Sequence, residues 1–171
     1  FMAISTLAQY AHKPTIADFN AAKGVLRYLK GTENLGLNYK VADKGDSKLL
    51  RVEIYTDADF ANATDRKSRS GVCVFVNGNL IDWSSTKQKS TSLSTCEAEY
   101  IAMSSGAQKA KWLTQLFKEL NLEYAIPKLY IDNQAAKNIA VNDTSTRRTK
   151  HIDVRAHFIR EMISDNLLTV D

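Results

Sequence analysis

Three acidic residues stand where they could act together. Asp57 follows the strand-like alternation Val52-Glu53-Ile54-Tyr55-Thr56, and Asp132 ends the short apolar run Leu129-Tyr130-Ile131. Glu99 falls in the opening turns of a long helical pattern that starts near Ser94. If the first and fourth strands lie side by side and parallel, as a helical crossover permits, Asp57 and Asp132 reach one crevice at the open end of the sheet. Glu97 is used up by a capping role, whereas Glu99, about 200° further round the helix, can face the sheet. Carboxylates crowded into one cleft repel each other and are tolerable mainly when cations neutralise them. Oxygen ligands without His or Cys suit magnesium or manganese, and paired hard cations can clamp the attacking water and leaving oxygen of a phosphodiester. The plainer alternative is that each Asp caps a turn and that Glu99 is a solvated helix residue favoured by the dipole.

The elements that would position these groups are readable. Ile4, Leu7 and Ala8, then Phe19, Ala22, Leu26 and Leu29, recur at helical spacing, with Thr15 as a cap and Gly31 as an end. The polar stretch 41–48 carries turn formers and marks a boundary, predicting a helical appendage over 1–45 and a main domain over 46–171. From Leu50 the period becomes two, and Val72, Val74 and Val76 continue it. Asn77-Gly78 predicts a tight primed turn into a third strand around Leu80–Trp83, giving an antiparallel meander. Ser94-Thr95-Cys96-Glu97 matches a capping box. Behind it, Ala98, Ala102, Gly106, Ala110, Leu113, Phe117 and Leu120 form the stripe expected to be buried, with Asn121 as C-cap. A short strand, two further helices and a last strand near Leu167–Val170 complete an α/β plan with a mixed sheet. Tyr55, Tyr130 and Trp83, being on strands, are expected in the core.

At 171 residues, with 44% hydrophobic and 25% charged residues and only 2 Pro and 7 Gly, the chain is suited to one well-buried domain plus an appendage and not to disorder. No apolar run approaches the roughly 18 to 20 residues of a membrane span, and no signal peptide is visible. Cys73 and Cys96 match neither a multi-bridge framework nor a zinc spacing, so a reducing intracellular compartment is the expectation. Lys and Arg exceed Asp and Glu by 23 to 19. They gather around Arg66, Lys67 and Arg69, around Lys87 and Lys89, and around Arg147, Arg148 and Lys150, each beside hydroxyl or amide side chains. Such clusters favour a polyanionic partner.

Six ordered segments carry a family resemblance: Tyr55-Thr56-Asp57-Ala58-Asp59-Phe60-Ala61, Arg66-Lys67-Ser68-Arg69-Ser70-Gly71, Trp83-Ser84-Ser85-Thr86-Lys87-Gln88-Lys89, Glu97-Ala98-Glu99-Tyr100-Ile101-Ala102, Ile131-Asp132-Asn133-Gln134-Ala135-Ala136 and Arg148-Thr149-Lys150-His151-Ile152-Asp153-Val154-Arg155. Together they resemble the ribonuclease H domain of copia-type LTR retrotransposon polyproteins. Upstream, Ala21-Ala22-Lys23-Gly24-Val25-Leu26-Arg27-Tyr28-Leu29-Lys30-Gly31-Thr32 resembles the helical end of the preceding reverse transcriptase.

The resemblance implies a ribonuclease H-like mixed five-stranded sheet, three antiparallel strands and then parallel ones, flanked by helices. It implies a metal-dependent endonuclease that cuts the RNA strand of RNA/DNA hybrids with two Mg2+ or Mn2+ ions. By motif position Asp57, Glu99 and Asp132 are its catalytic metal ligands. Arg66, Lys67, Arg69, Lys87, Lys89, Asn133, Gln134, Arg147, Arg148 and Lys150 become its nucleic-acid contacts. The polymerase domain of the same polyprotein is the implied protein partner, with no membrane, in the cytoplasm within a virus-like particle or in the nucleus. Relatives carry a fourth carboxylate on a helix after the fifth strand. No equivalent is found here, so the domain is expected to lack that helix, and Asp153, in the preceding helix, is not counted. The rival expectation is a non-catalytic nucleic-acid-binding or structural remnant.

Overall fold

A computed structural model of the chain describes residues 2–41, 49–61, 65–141 and 150–171, with only the backbone for 150–153. It divides into two units, Phe1–Asn38 and Tyr39–Asp171.

In the first unit, helix α1 (Met2–Ala8) precedes helix α2 (Ile16–Gly31). Thr15 caps α2 as expected, and Asp18 answers it: the Asp18 N–H donates to Thr15 Oγ1 at 3.2 Å while the Thr15 N–H donates to Asp18 Oδ2 at 2.8 Å. Neither helix buries a residue.

In the second unit, the alternation from Val52 becomes strand β1 (Val52–Asp59), followed by β2 (Arg69–Val76) and β3 (Asn79–Lys87). Asn77 at φ 49° and Gly78 at φ 75° turn β2 into β3, which only residues tolerant of the left-handed region can do cheaply. β3 is longer than its apolar core suggested, because Ser84 to Lys87 still pair with Arg69 to Val72. Helix α3 (Thr95–Glu119) follows, then β4 (Lys128–Tyr130), helix α4 (Gln134–Val141), helix α5 (Lys150–Ser164) and β5 (Thr169–Val170). The sheet order is β3-β2-β1-β4-β5, antiparallel across the first three strands and parallel from β1 through β4 to β5, which is the mixed sheet expected from the sequence.

Val52 and Ile54 of β1, Val72 and Val74 of β2, and Leu129 of β4 point under α3 and are almost wholly buried. α3 also packs on α4 and α5, so Tyr100, Met103 and Ala107 are buried as well as the predicted stripe. Leu120 departs from that stripe: it is the cap residue of α3 and exposed. Asn121, at φ 55°, donates to the Lys118 carbonyl while Leu122 donates to that of Phe117, closing the helix in a left-handed turn. Asn121→Ala should therefore cost about 1 kcal/mol and Asn121→Gly almost nothing, as read by urea unfolding.

Glu97 does not complete the predicted capping box. Its N–H donates to Ser94 Oγ, but its carboxylate accepts from the Leu93 N–H at 2.7 Å, one residue before the cap. The aromatic expectation is also corrected. Tyr55 and Trp83 are about half exposed, on the sheet face opposite α3, where Tyr55 stacks on Tyr130 at 4.8 Å and meets Phe75 edge-on at 5.6 Å. Strand alternation gives these residues one common face but does not say whether anything covers it.

Candidate metal centre

β1 and β4 are parallel neighbours, with Tyr55 opposite Tyr130, so their carboxyl ends open at the same edge of the sheet. Asp57 lies two residues past that register on β1 and Asp132 two residues past it beyond β4. Glu99 arrives from α3, whose first turn is fixed over the sheet by the Ser94 cap. A ligand oxygen from each of Asp57, Glu99 and Asp132 lies within 4.8 Å of the others. The three carboxylates named from their spacing thus come together, two exposed and Glu99 only 7% exposed.

The electrostatics disfavour three ionised carboxylates in this cleft. Burial pushes the Glu99 carboxyl up from 4.5 to about 7, and the charges of Asp132 and Asp57 push the same way. The Ala58 N–H opposes them by donating to Glu99 Oε1 at 3.1 Å. Glu99 Oε2 is buried without any partner. An orphaned buried carboxylate oxygen facing further carboxylates is what a hard divalent cation with oxygen ligands would satisfy, so the residues present fit such an ion. Nothing in the sequence marks Ala58, because its contribution is a backbone N–H.

The expected nucleic-acid contacts are more mixed. Arg69 stands opposite both Asp59 of β1 and Lys87 of β3, at the same end of the sheet as Asp57. Its guanidinium donates to the Ser85 carbonyl at 3.2 Å, and Lys87 pairs with Asp65 at 3.0 Å, so both cations are held in place. That bond to Lys87 also holds the Asp65 carboxyl below its usual range. Arg66 is exposed with φ 60°, Lys67 is half-buried and Lys89 is exposed. Asn133 Oδ1 accepts from the Ala136 N–H at 3.0 Å, which gives it a cap role at α4, and the exposed Gln134 bonds Asn138 on the same helix. Arg147, Arg148 and the side chain of Lys150 lie outside the described residues.

Among the described residues no helix is long and apolar enough to cross a membrane. No protein-family model matches the chain. It is 38% identical over 169 residues to the retrovirus-related Pol polyprotein from transposon TNT 1-94 of Nicotiana tabacum, covering 98% of this chain and 12% of that one. It is also 38% identical over 170 residues to the polyprotein from transposon RE2 of Arabidopsis thaliana, covering 98% of this chain and 11% of that one. The chain thus spans about an eighth or less of the length of these two polyproteins. Among solved structures it resembles LC11-RNase H1 in complex with an RNA/DNA hybrid, with a TM-score of 0.51 at 15% identity, over 70% of this chain and 83% of that one.

Proposed function

Since the chain belongs to the retrovirus-related Pol polyproteins of copia-type transposons and has the ribonuclease H fold, we propose that it is a metal-dependent endonuclease hydrolysing the RNA strand of RNA/DNA hybrids during reverse transcription. The observation that carries this reading is the convergence of Asp57, Glu99 and Asp132 within 4.8 Å at one edge of the sheet. Asp57 and Asp132, exposed at the strand ends, would hold two Mg2+ or Mn2+ ions. Glu99, its Oε1 held by Ala58, has Oε2 left to complete the set and orient the attacking water. Bound ions of this kind supply Lewis-acid stabilisation of the attacking and leaving oxygens. Arg69 and Lys87 beside the cleft would track the phosphate backbone. Choosing a hybrid requires sensing a 2′-hydroxyl on one strand only, a task we assign to Asn133 and Gln134 at the cleft mouth. Residues 1–45 are read as the helical end of the reverse transcriptase, with its polymerase domain as partner. Exposed Ile16, Leu26 and Leu29 on α2 support a protein neighbour there.

A labelled RNA/DNA hybrid should be cut by this chain in Mg2+ or Mn2+, with duplex DNA left intact. Asp57→Asn and Asp132→Asn should each reduce cutting roughly a hundredfold or more, because each removes a ligand worth several kcal/mol of transition-state stabilisation. Hybrid binding without cutting would sink the catalytic reading. It would favour the second one, a non-catalytic hybrid-binding remnant, whose support is that the acidic group among the described residues has three members and not four.

A further inference from the structure

Gln88 follows β3 directly and sits in the basic run Lys87-Gln88-Lys89, yet it is 5% exposed. Its Nε2 donates to Ser70 Oγ at 2.9 Å and to the Ala98 carbonyl at 2.9 Å, while its Oε1 accepts from Ser92 Oγ at 2.7 Å. Its N–H donates to the Ser68 carbonyl at 2.8 Å. Both amide hydrogens and the amide oxygen are therefore engaged in a buried setting, where a satisfied polar network fixes geometry and a broken one is costly.

The partners belong to β2, beside the strand that carries Asp57, to α3, which carries Glu99, and to the loop entering α3. Ser70 stands opposite Ala58 in the β1–β2 pairing, and Ala58 supplies the N–H that holds Glu99 Oε1. Ala98 directly precedes Glu99 on α3. Ser92 lies in the loop entering the Ser94 cap. One carboxamide thus joins the strand pair that presents Asp57 to the helical turn that presents Glu99. A carboxylate at position 88 would set an acceptor against the Ala98 carbonyl, asparagine is one methylene too short to span the same partners, and leucine would leave all three unpaired.

We propose that Gln88 is a positioning residue for the cation site, holding the first turn of α3 against β1 and β2 so that Glu99 meets Asp57 and Asp132. This rests on reading those carboxylates as cation ligands. The test is Mn2+ binding to the full chain by calorimetry, beside unfolding without cation and steady-state hybrid cleavage. Wild type should bind Mn2+ and Asp132→Asn should lose it. Gln88→Leu should weaken Mn2+ affinity tenfold or more, the scale seen when groups orienting metal ligands are removed, and should lower kcat while leaving KM for the hybrid unchanged. Gln88→Asn should fall between. Asn121→Ala, remote from the site, should lose stability but keep wild-type Mn2+ affinity. Should Gln88→Leu fail to fold, Ser92→Ala, which removes only one of the three bonds, should still weaken Mn2+ severalfold. Mn2+ affinity within twofold of wild type in the folded Gln88 or Ser92 variants would overturn the positioning role while leaving the cluster reading intact. Absence of Mn2+ binding by wild type would overturn the cluster reading and this inference with it.

Discussion

Glu99→Gln is expected to stabilise the metal-free protein by about 2 to 3 kcal/mol at pH 8 while lowering hybrid cleavage by roughly a hundredfold or more. The two effects have one origin. In the folded chain the Glu99 carboxyl titrates near 7, against 4.5 when unperturbed. The folded state therefore holds its proton over a pH range in which the unfolded chain has already released it. Stability must then fall as pH rises from about 4.5 through 7, and the full penalty is present above 7. Glutamine has the same shape and no charge. It keeps an oxygen for the Ala58 N–H and removes the buried negative charge that lies near the Asp57 and Asp132 carboxylates.

Chemical denaturation of both proteins at pH 4.5 and 8, in chelator, checks the argument. Near pH 4.5 the curves should nearly coincide, because Glu99 is protonated in wild type. At pH 8 the variant should be the more stable. Added Mn2+ should raise wild type and leave the variant almost unmoved, since only a bound ligand that prefers the folded state shifts stability. A variant less stable than wild type at pH 8 would mean that Glu99 is held ionised by some compensating group and is not waiting for a cation.

The carboxylates were legible in the sequence because their signals are local: two acids at the carboxyl ends of strand patterns, and one acid five residues after a helix cap, two beyond the acid at its N3 position. Strand pairing then required only the usual handed crossover to bring them together. The role of Gln88 was not legible. Between two lysines it reads as part of a solvated basic run, and its burial comes from the chain leaving β3 to pass under the first turn of α3. Tyr55 and Trp83 were misread for a related reason, since period-two alternation sorts residues onto two faces without telling which face a helix covers. Glu97 accepts from the Leu93 N–H and not from that of the extended cap residue Ser94, a one-residue choice that spacing cannot specify.

Gly106 is where the packing that brings α3 to the sheet can be tested most directly. A β-carbon built there would lie 2.6 Å from Thr56 Cγ2, 2.8 Å from Leu129 Cδ1 and 3.2 Å from Ile54 Cγ2. Those three residues are 6%, 0% and 0% exposed, so none can swing aside into solvent. Intrinsic helix propensity favours alanine over glycine by about 1 kcal/mol, and in an exposed helix Gly→Ala would stabilise. Here overpacking should win: about 1 to 3 kcal/mol net loss for Gly106→Ala, and more for Gly106→Val, by urea unfolding. The seven residue steps from Glu99 to Gly106 make almost two full turns, about 10 Å along one face. Lifting α3 off Thr56 and Leu129 therefore also lifts Glu99 away from Asp57 and Asp132. Gly106→Ala should weaken Mn2+ affinity along with stability, which a remote destabilising change such as Asn121→Ala should not do. A Gly106→Ala variant as stable as wild type would show that the helix can ride higher on the sheet. In that case the close approach of α3 would not be what sets the spacing of the three carboxylates.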